Sequence, residues 1–344
     1  MEKMRAMVLS KCAPIESNPL KLSEIDKHQI NNENEILIKI EACGVCHSQL
    51  HGIEGDWKDL GIPPVLPTVP GHEVVGKIVE IGKNVTKFKV GDRAGITPLL
   101  QACKDCQYCK EGKEYLCESS VITGESFKGG YTEYITVLED FATKIPETMS
   151  AEYAAPLFCA GITAFKAVKA TEPQLHKKIG IFGIGGVGHM AVQFAKIEGA
   201  EVIAFSRNKN HLEVAKRLGA KDALVFSNDQ ERFLKEIKEN HGMLDAAIVF
   251  APADIVTDTA IKAVKKGGLI VIATIGENPS FVAFEEKTIR GTLIGSTRDM
   301  EQVIKICNER NLEVISETYP LEKANEVLTK LKNSQIEARA VLIP

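Results

Sequence analysis

From Lys178 to Gly199 the chain reads KIGIFGIGGVGHMAVQFAKIEG, a short apolar run, a glycine-rich turn and an amphipathic run in direct succession. These are the marks of a strand, a tight turn and a helix. The pattern then repeats, with strand EVIAFS, helix NHLEVAKRLG, strand ALVF, helix DQERFLKEIKENHG, strand DAAIVF, helix DIVTDTAIKAVKKG and strand GLIVIAT. Strands that alternate with helices need crossover connections, and these give a parallel sheet covered by helices on both faces. The fold class is therefore α/β with a doubly wound parallel sheet. Within the turn, Gly183, Gly185 and Gly188 match G-x-G-x-x-G, with Gly186 and Val187 between them. That pattern alone is weak; after a strand and before a helix it predicts a dinucleotide site, because the glycines let a pyrophosphate approach the helix N-terminus.

Cofactor choice is read at the end of the second strand. An NAD-binding unit places Asp or Glu there, about 20 residues past the turn, to hold the adenosine ribose. Here the position is Ser206, followed by RNKN. No carboxylate stands there to repel a 2′-phosphate, and Arg207 and Lys209 can pair with one. Cationic side chains at a helix N-terminus oppose the macrodipole by roughly 0.3–1 kcal/mol each, so their placement favours an anionic partner. NADP(H) is expected in preference to NAD(H).

The first 150 residues have a different texture. NEILIKIEACGV and HEVVGKIVEIG are β-rich, and IPPVLPTVPGHE is a proline-rich loop. The last part, from about Met300, holds two helical patterns and a terminal strand, ARAVLIP. With 344 residues, a net charge of −4 and a pI near 6.1, the chain has room for two domains and no basic field for nucleic acid or an anionic membrane. The N-terminus MEKMRAMVLS has no apolar core of signal-peptide length, and no segment approaches 18 consecutive apolar residues. A cytoplasmic location is expected.

A reducing compartment disfavours disulfides, which bears on the stretch QACKDCQYCKEGKEYLC. Cys103, Cys106, Cys109 and Cys117 have the spacing C-x2-C-x2-C-x7-C. Four thiolates so placed close tetrahedrally around one Zn²⁺ and leave no open position, which describes a structural site. An iron–sulfur reading fits less well, since the last gap differs from the bacterial ferredoxin run and no proline follows Cys117. A redox dithiol would need only two of the four. A second set is dispersed: Cys46, His47, Ser48 and His51 in CGVCHSQLH, His72 and Glu73 in PGHEVVG, and Cys159 in AAPLFCAGITAF. Two thiolates and one imidazole with a vacant fourth position describe a catalytic zinc. Spacing alone does not assemble that trio from three distant segments.

The chain resembles the zinc-dependent alcohol dehydrogenases of the medium-chain dehydrogenase/reductase superfamily, and within it an NADP-preferring microbial or cinnamyl-alcohol-dehydrogenase-like branch. GHEVVGKIVEIGKNV, from Gly71 to Val85, meets the signature G-H-E-x2-G-x5-G-x2-V; the four-cysteine lobe, CAGIT and GIGGVG follow in the family's order. The resemblance covers essentially the whole chain. It implies a GroES-like catalytic domain from residues 1–160 and 296–344, with a structural zinc lobe at about 98–118. It implies a Rossmann domain from residues 161–295 and an active site in the cleft between the two. It also implies two zinc ions per chain, one on Cys46, His72 and Cys159 and one on the four clustered cysteines. Further implied roles are a proton relay through Ser48 and His51, Glu73 beside the metal, His47 and Arg339 at the cofactor pyrophosphate, and Trp57 in the substrate pocket. Homodimers or homotetramers are implied as well.

The reaction so implied passes a hydride between a primary or secondary alcohol, or its aldehyde or ketone, and NADP(H). A polyol or amino-alcohol dehydrogenase with the same metal chemistry is the alternative, because pocket shape is not legible in a sequence. A zinc-free quinone reductase would have no use for two thiolate sets, and a zinc module for nucleic acid conflicts with the acidic balance. Cys12, Cys43 and Cys307 read as small buried or half-buried thiols. His28, His176, His189, His211 and His241 read as surface or packing residues. One departure from the family is plain: Gln49 stands where relatives usually carry an aspartate that accepts from the zinc-binding histidine, and an amide supplies less negative charge there.

Overall fold

The computed structural model describes residues 2–58, 64–125, 128–173, 177–275 and 283–344, so His176 lies outside the described residues. The chain divides into two compact units, Met1–Ile162 with Gly295–Pro344, and Thr163–Ile294. No described helix is long and apolar enough to cross a membrane.

The second unit is the α/β body that the alternating pattern predicts. Its six strands are all parallel, in the order Asp222–Val225, Glu201–Ser206, Lys178–Phe182, Leu244–Val249, Val264–Ile272 and Thr288–Gly291. Strand order reverses at Lys178–Phe182, and ligands of such sheets bind at that switch point. The glycine turn leaves this strand, and a Cβ at Gly183 (φ +101°) would meet the backbone of Ala251 across the switch. Gly188 opens the helix Gly188–Ile197 and packs on the Gly183 carbonyl where no side chain would fit. Under the sheet Phe182 stacks on Phe205 at 4.3 Å, and Phe233 meets Phe205 and Phe226 edge-on. One boundary differs from the sequence reading. The helix Asp254–Ala263 stops early and the next strand begins at Val264, which is fully buried and pairs with Leu244. Pairing to a neighbouring strand overrides the helical pattern that continues to Gly267.

The first unit is built on a seven-stranded sheet. Ser316–Pro320, Arg339–Ile343, Glu35–Val45, Glu73–Ile81, Arg93–Ile96 and Ala142–Lys144 lie side by side, and Tyr134–Leu138 also pairs with Glu35–Val45. The C-terminal strand is antiparallel to Glu35–Val45, with Ala340 opposite Val45, so both chain ends build one sheet. Ser316–Pro320 escapes the sequence reading because it is a mostly exposed edge strand with no apolar alternation. On either side of it in the chain lie the two expected helices, Thr297–Arg310 and Ala324–Lys332. The first is capped by Ser296 and Asp299 in a reciprocal capping box. Cys43 and Cys307 are buried and Cys12 is half-buried.

Candidate functional site

Sheet register assembles the dispersed set. Gly44 pairs with Glu73 and Val45 with Ala340, so Cys46, His72 and Arg339 emerge side by side at one end of three neighbouring strands. Cys46 is the N-cap residue of the helix His47–Glu54, which places Ser48 and His51 one turn apart. Cys159 ends the 3-10 turn Ala155–Phe158, anchored by the Phe158 ring lying against Gly95, where a Cβ would collide with it. Gly44 is needed for the same reason, since a Cβ there would overlap the Glu73 carboxylate.

The donor atoms of Cys46, His72, Glu73 and Cys159 all lie within 4.8 Å of one another. The two sulfurs are 3.8 Å apart. Two thiolates on a tetrahedral zinc, with Zn–S bonds of about 2.3 Å, are separated by about 3.8 Å, so the pair fits the ion. Metal-free, the two thiols compete: the hydrogen bond between them pulls Cys46 well below the usual thiol range and pushes Cys159 well above it. A divalent cation removes that conflict by taking both as thiolates. Ser48 Oγ donates to the Cys46 sulfur at 3.2 Å and lies 3.4 Å from His72 Nε2. Gln49, 2 % exposed, faces His72 Nδ1 at 2.9 Å and accepts from the Gly71 N–H at 2.6 Å.

Glu73 and Arg339 form a buried ion pair in which one guanidinium nitrogen reaches both carboxylate oxygens. Burial and the neighbouring Cys46 push the Glu73 carboxyl up in spite of Arg339. The Arg339 Nε–H is buried with no acceptor among the described residues. Nearby, His51 Nδ1 is 2.7 Å from Asp56, and the His51 ring stacks on Trp57 at 5.6 Å. His47 is exposed, its ring 6.3 Å from that of His51, and desolvation by its surroundings lowers its pKa. Neither Asp56 nor Glu125, which borders Gln49, stands out in the sequence; Asp56, five residues past His51 at the helix end, offers at most a local hint.

The clustered cysteines form a separate, local constellation. Their sulfurs lie within 4.8 Å of one another, with Cys103 and Cys109 at 3.9 Å. The Cys106 N–H donates to Cys103 Sγ at 3.3 Å and the Cys103 N–H to Cys117 Sγ at 3.5 Å. N–H groups of Asp105 and Cys106 hold Cys103 down to about 6, while burial and its neighbours push Cys109 up to about 12. This set too is resolved by a cation that all four thiolates can share.

In the second unit the glycine turn leaves Gly185 with open space beside it, whereas Gly183 and Gly188 are packed. Ser206 ends its strand buried, and its Oγ accepts from the Asn208 N–H at 3.2 Å. Arg207 and Lys209 are exposed around the start of the helix Lys209–Leu218, whose first turn holds no acidic residue.

Comparison with known proteins gives the family. Residues 32–147 match the alcohol dehydrogenase GroES-like domain and residues 186–309 the zinc-binding dehydrogenase domain. An alcohol dehydrogenase of Geobacillus stearothermophilus is 40% identical over 329 residues, which are 94% of this chain and 96% of that one. The chain belongs to the zinc-dependent alcohol dehydrogenase family. It is an NAD(P)-dependent oxidoreductase acting on alcohols. Among solved structures, acetophenone reductase from Geotrichum candidum in complex with NAD is 27% identical, with 100% of this chain and 98% of that one covered and a TM-score of 0.88. CAD from Helicobacter pylori complexed with NADP(H) is 26% identical, with 99% and 98% covered and a TM-score of 0.87.

Proposed function

We propose that this dehydrogenase oxidises primary or secondary alcohols, or reduces the matching aldehydes and ketones, with two zinc ions per chain and a preference for NADP(H). The 3.8 Å separation of Cys46 and Cys159 sulfurs beside His72 carries the reading, because two thiolates and an imidazole leave a fourth position for substrate. When bound, zinc supplies Lewis acidity at the alcohol oxygen and the nicotinamide accepts the hydride. Cys46, His72 and Cys159 hold the catalytic ion, and Cys103, Cys106, Cys109 and Cys117 hold the structural one. Glu73, within 4.8 Å of the three catalytic ligands, is an additional oxygen donor for ligand exchange. Ser48 Oγ takes the proton released by the alcohol as its own hydroxyl proton is passed on, by way of the nicotinamide ribose when the cofactor is bound. His51 receives that proton on Nε2, which is unprotonated because Asp56 accepts from Nδ1–H, and releases it to water. Trp57, stacked on His51, lines the substrate side.

The cofactor is held on Gly183, Gly185, Gly186, Val187 and Gly188 of the second unit, and the resemblance gives His47 and Arg339 of the first unit the role of pyrophosphate contacts. The adenosine end meets Ser206, Arg207 and Lys209. Half-exposed Tyr108 and Leu116 on the four-cysteine lobe suit a subunit contact, in keeping with a homodimer or homotetramer. A panel of alcohols and carbonyls assayed with both nicotinamide cofactors tests the reading. Ser206→Asp with Arg207→Ile exchanges the partners of a 2′-phosphate for those of a ribose. It should move the NADP⁺/NAD⁺ ratio of kcat/KM toward NAD⁺ by about a hundredfold, the worth of one or two charge-assisted hydrogen bonds. Comparable or better kcat/KM with NAD⁺ in the unmutated enzyme would defeat the NADP(H) preference.

A further inference from the structure

Two consecutive glycines, Gly185 and Gly186, stand in the middle of the dinucleotide turn. The peptide unit between them is the loosest of the turn, because neither neighbour has a Cβ to restrict φ and ψ. That unit is a planar trans peptide, so its C=O and N–H point in opposite directions. In one orientation the Gly186 N–H faces the open end of the helix Gly188–Ile197; after a flip the Gly185 carbonyl oxygen would face it instead. An N–H there attracts a phosphate, and a carbonyl oxygen repels it. The glycines give a pyrophosphate room to approach, but they do not choose between the two orientations.

His189 makes that choice. It follows the last glycine of the turn and is 1 % exposed. Its Nδ1 lies 3.1 Å from the Gly185 oxygen, and its backbone N–H reaches the same oxygen at 3.1 Å. A carbonyl only accepts, so the ring carries its proton on Nδ1. One residue thus holds one carbonyl with two donors, on the helix side of the peptide. The Gly186 N–H is left pointing the other way. Among the described residues neither it nor the Val187 N–H reaches a backbone acceptor. Beside Gly185 the space is open, with no atom within 4 Å of where a Cβ would stand. As mere packing an imidazole is a poor choice in a first helical turn, since buried ring nitrogens need partners and an alkyl group needs none.

We propose that His189 is a positioning residue for the cofactor: its Nδ1–H holds the Gly185–Gly186 peptide against flipping, so that the Gly186 N–H faces the pyrophosphate before the dinucleotide arrives. The gain is preorganisation, because the turn need not be ordered at the moment of binding. The inference rests on the reading that the glycine turn receives the pyrophosphate of NAD(P)(H).

The test is titration calorimetry on the intact protein with two ligands, NADPH and adenosine 2′-phosphate, which has the adenosine end and no pyrophosphate. Adenosine takes the place of the second should wild type bind NADH more tightly than NADPH. His189→Phe keeps a buried ring and removes the donor, and His189→Leu removes both. Each should weaken the dinucleotide by about three- to tenfold, the worth of one neutral hydrogen bond, and leave the pyrophosphate-free ligand within about twofold. His189→Asn sets an amide N–H where ring Nδ1 stood and should bind the dinucleotide within about twofold of wild type. Unchanged dinucleotide affinity in the apolar variants would overturn the proposal. So would an equal loss for both ligands, which is what general damage to the domain predicts, or an Asn variant as weak as the Leu one. If wild type bound neither NADPH nor NADH, the dinucleotide reading itself would fail, and the proposal with it.

Discussion

The two cysteine sites reach similar sulfur separations, 3.8 and 3.9 Å, by opposite routes. The four-cysteine lobe draws all its donors from one stretch of chain, and its local structure is a four-residue helix, Gln107–Lys110, and a three-residue 3-10 turn, Glu114–Leu116. Neither buries a residue, so little apolar packing holds that stretch in shape. The catalytic set joins residues up to 113 apart and stands on the register of a seven-stranded sheet, with Val45, Val74 and Phe158 fully buried around it. On the proposed reading, a lobe without a core would depend on its metal for folding, whereas a site on a finished scaffold would use its metal for chemistry alone.

That contrast is broken or kept by two substitutions. Cys159→Ala should cost the largest effect, a loss of about a thousandfold or more in kcat/KM, because the several kcal/mol that zinc contributes at the reacting oxygen go with the ion. One of the two zinc ions should disappear while the thermal transition moves by only a few degrees. Cys109→Ala should do the reverse. The apparent Tm should fall by roughly 5–10 °C as the folding energy of the structural ion is lost, and activity per folded molecule should stay within a few-fold. Both are read by elemental analysis, calorimetry and steady-state kinetics on the same preparations. A fully active protein holding only one tightly bound metal would contradict the division.

The same contrast explains what the sequence made legible. Donors close in the chain carry their geometry in their spacing, so the four-cysteine site and the glycine turn could be read directly. Each strand–turn–helix unit of the parallel sheet is likewise local, and strand Glu201–Ser206 falls where the pattern places it. Cys46 and His72 meet only through pairing of distant strands and Cys159 joins them only through packing of a 3-10 turn on that sheet, so resemblance to a family had to stand in for that information. Where partners are purely tertiary the signal vanishes. Asp56 beside His51, Glu125 beside Gln49 and the edge strand Ser316–Pro320 are set by packing that no periodicity encodes. The early start of strand Val264–Ile272 was hidden for the same reason, since its pairing with Leu244 defeats a helical pattern.

The smallest effect sharpens the comparison from within the catalytic site. His51 sits on the helix that Cys46 caps, yet it is 41 % exposed at its side chain and touches none of the metal donors by a direct hydrogen bond among those described. Its Nδ1 lies against Asp56, which leaves Nε2 as the proton acceptor, and Trp57 fixes the ring plane. A proton carrier at the rim differs from a ligand in one measurable way: solvent can replace it. His51→Gln should therefore keep both zinc ions and slow alcohol oxidation by about tenfold near neutral pH, below the usual range for general acid–base groups because water competes. The deficit should shrink as pH rises, since hydroxide then takes the proton unaided. Asp56→Asn should act in the same direction but more weakly, because an amide oxygen still accepts from Nδ1–H without the charge that favours it. A pH–rate profile of His51→Gln with the wild-type shape would remove the histidine from the proton path and leave it a packing partner of Trp57.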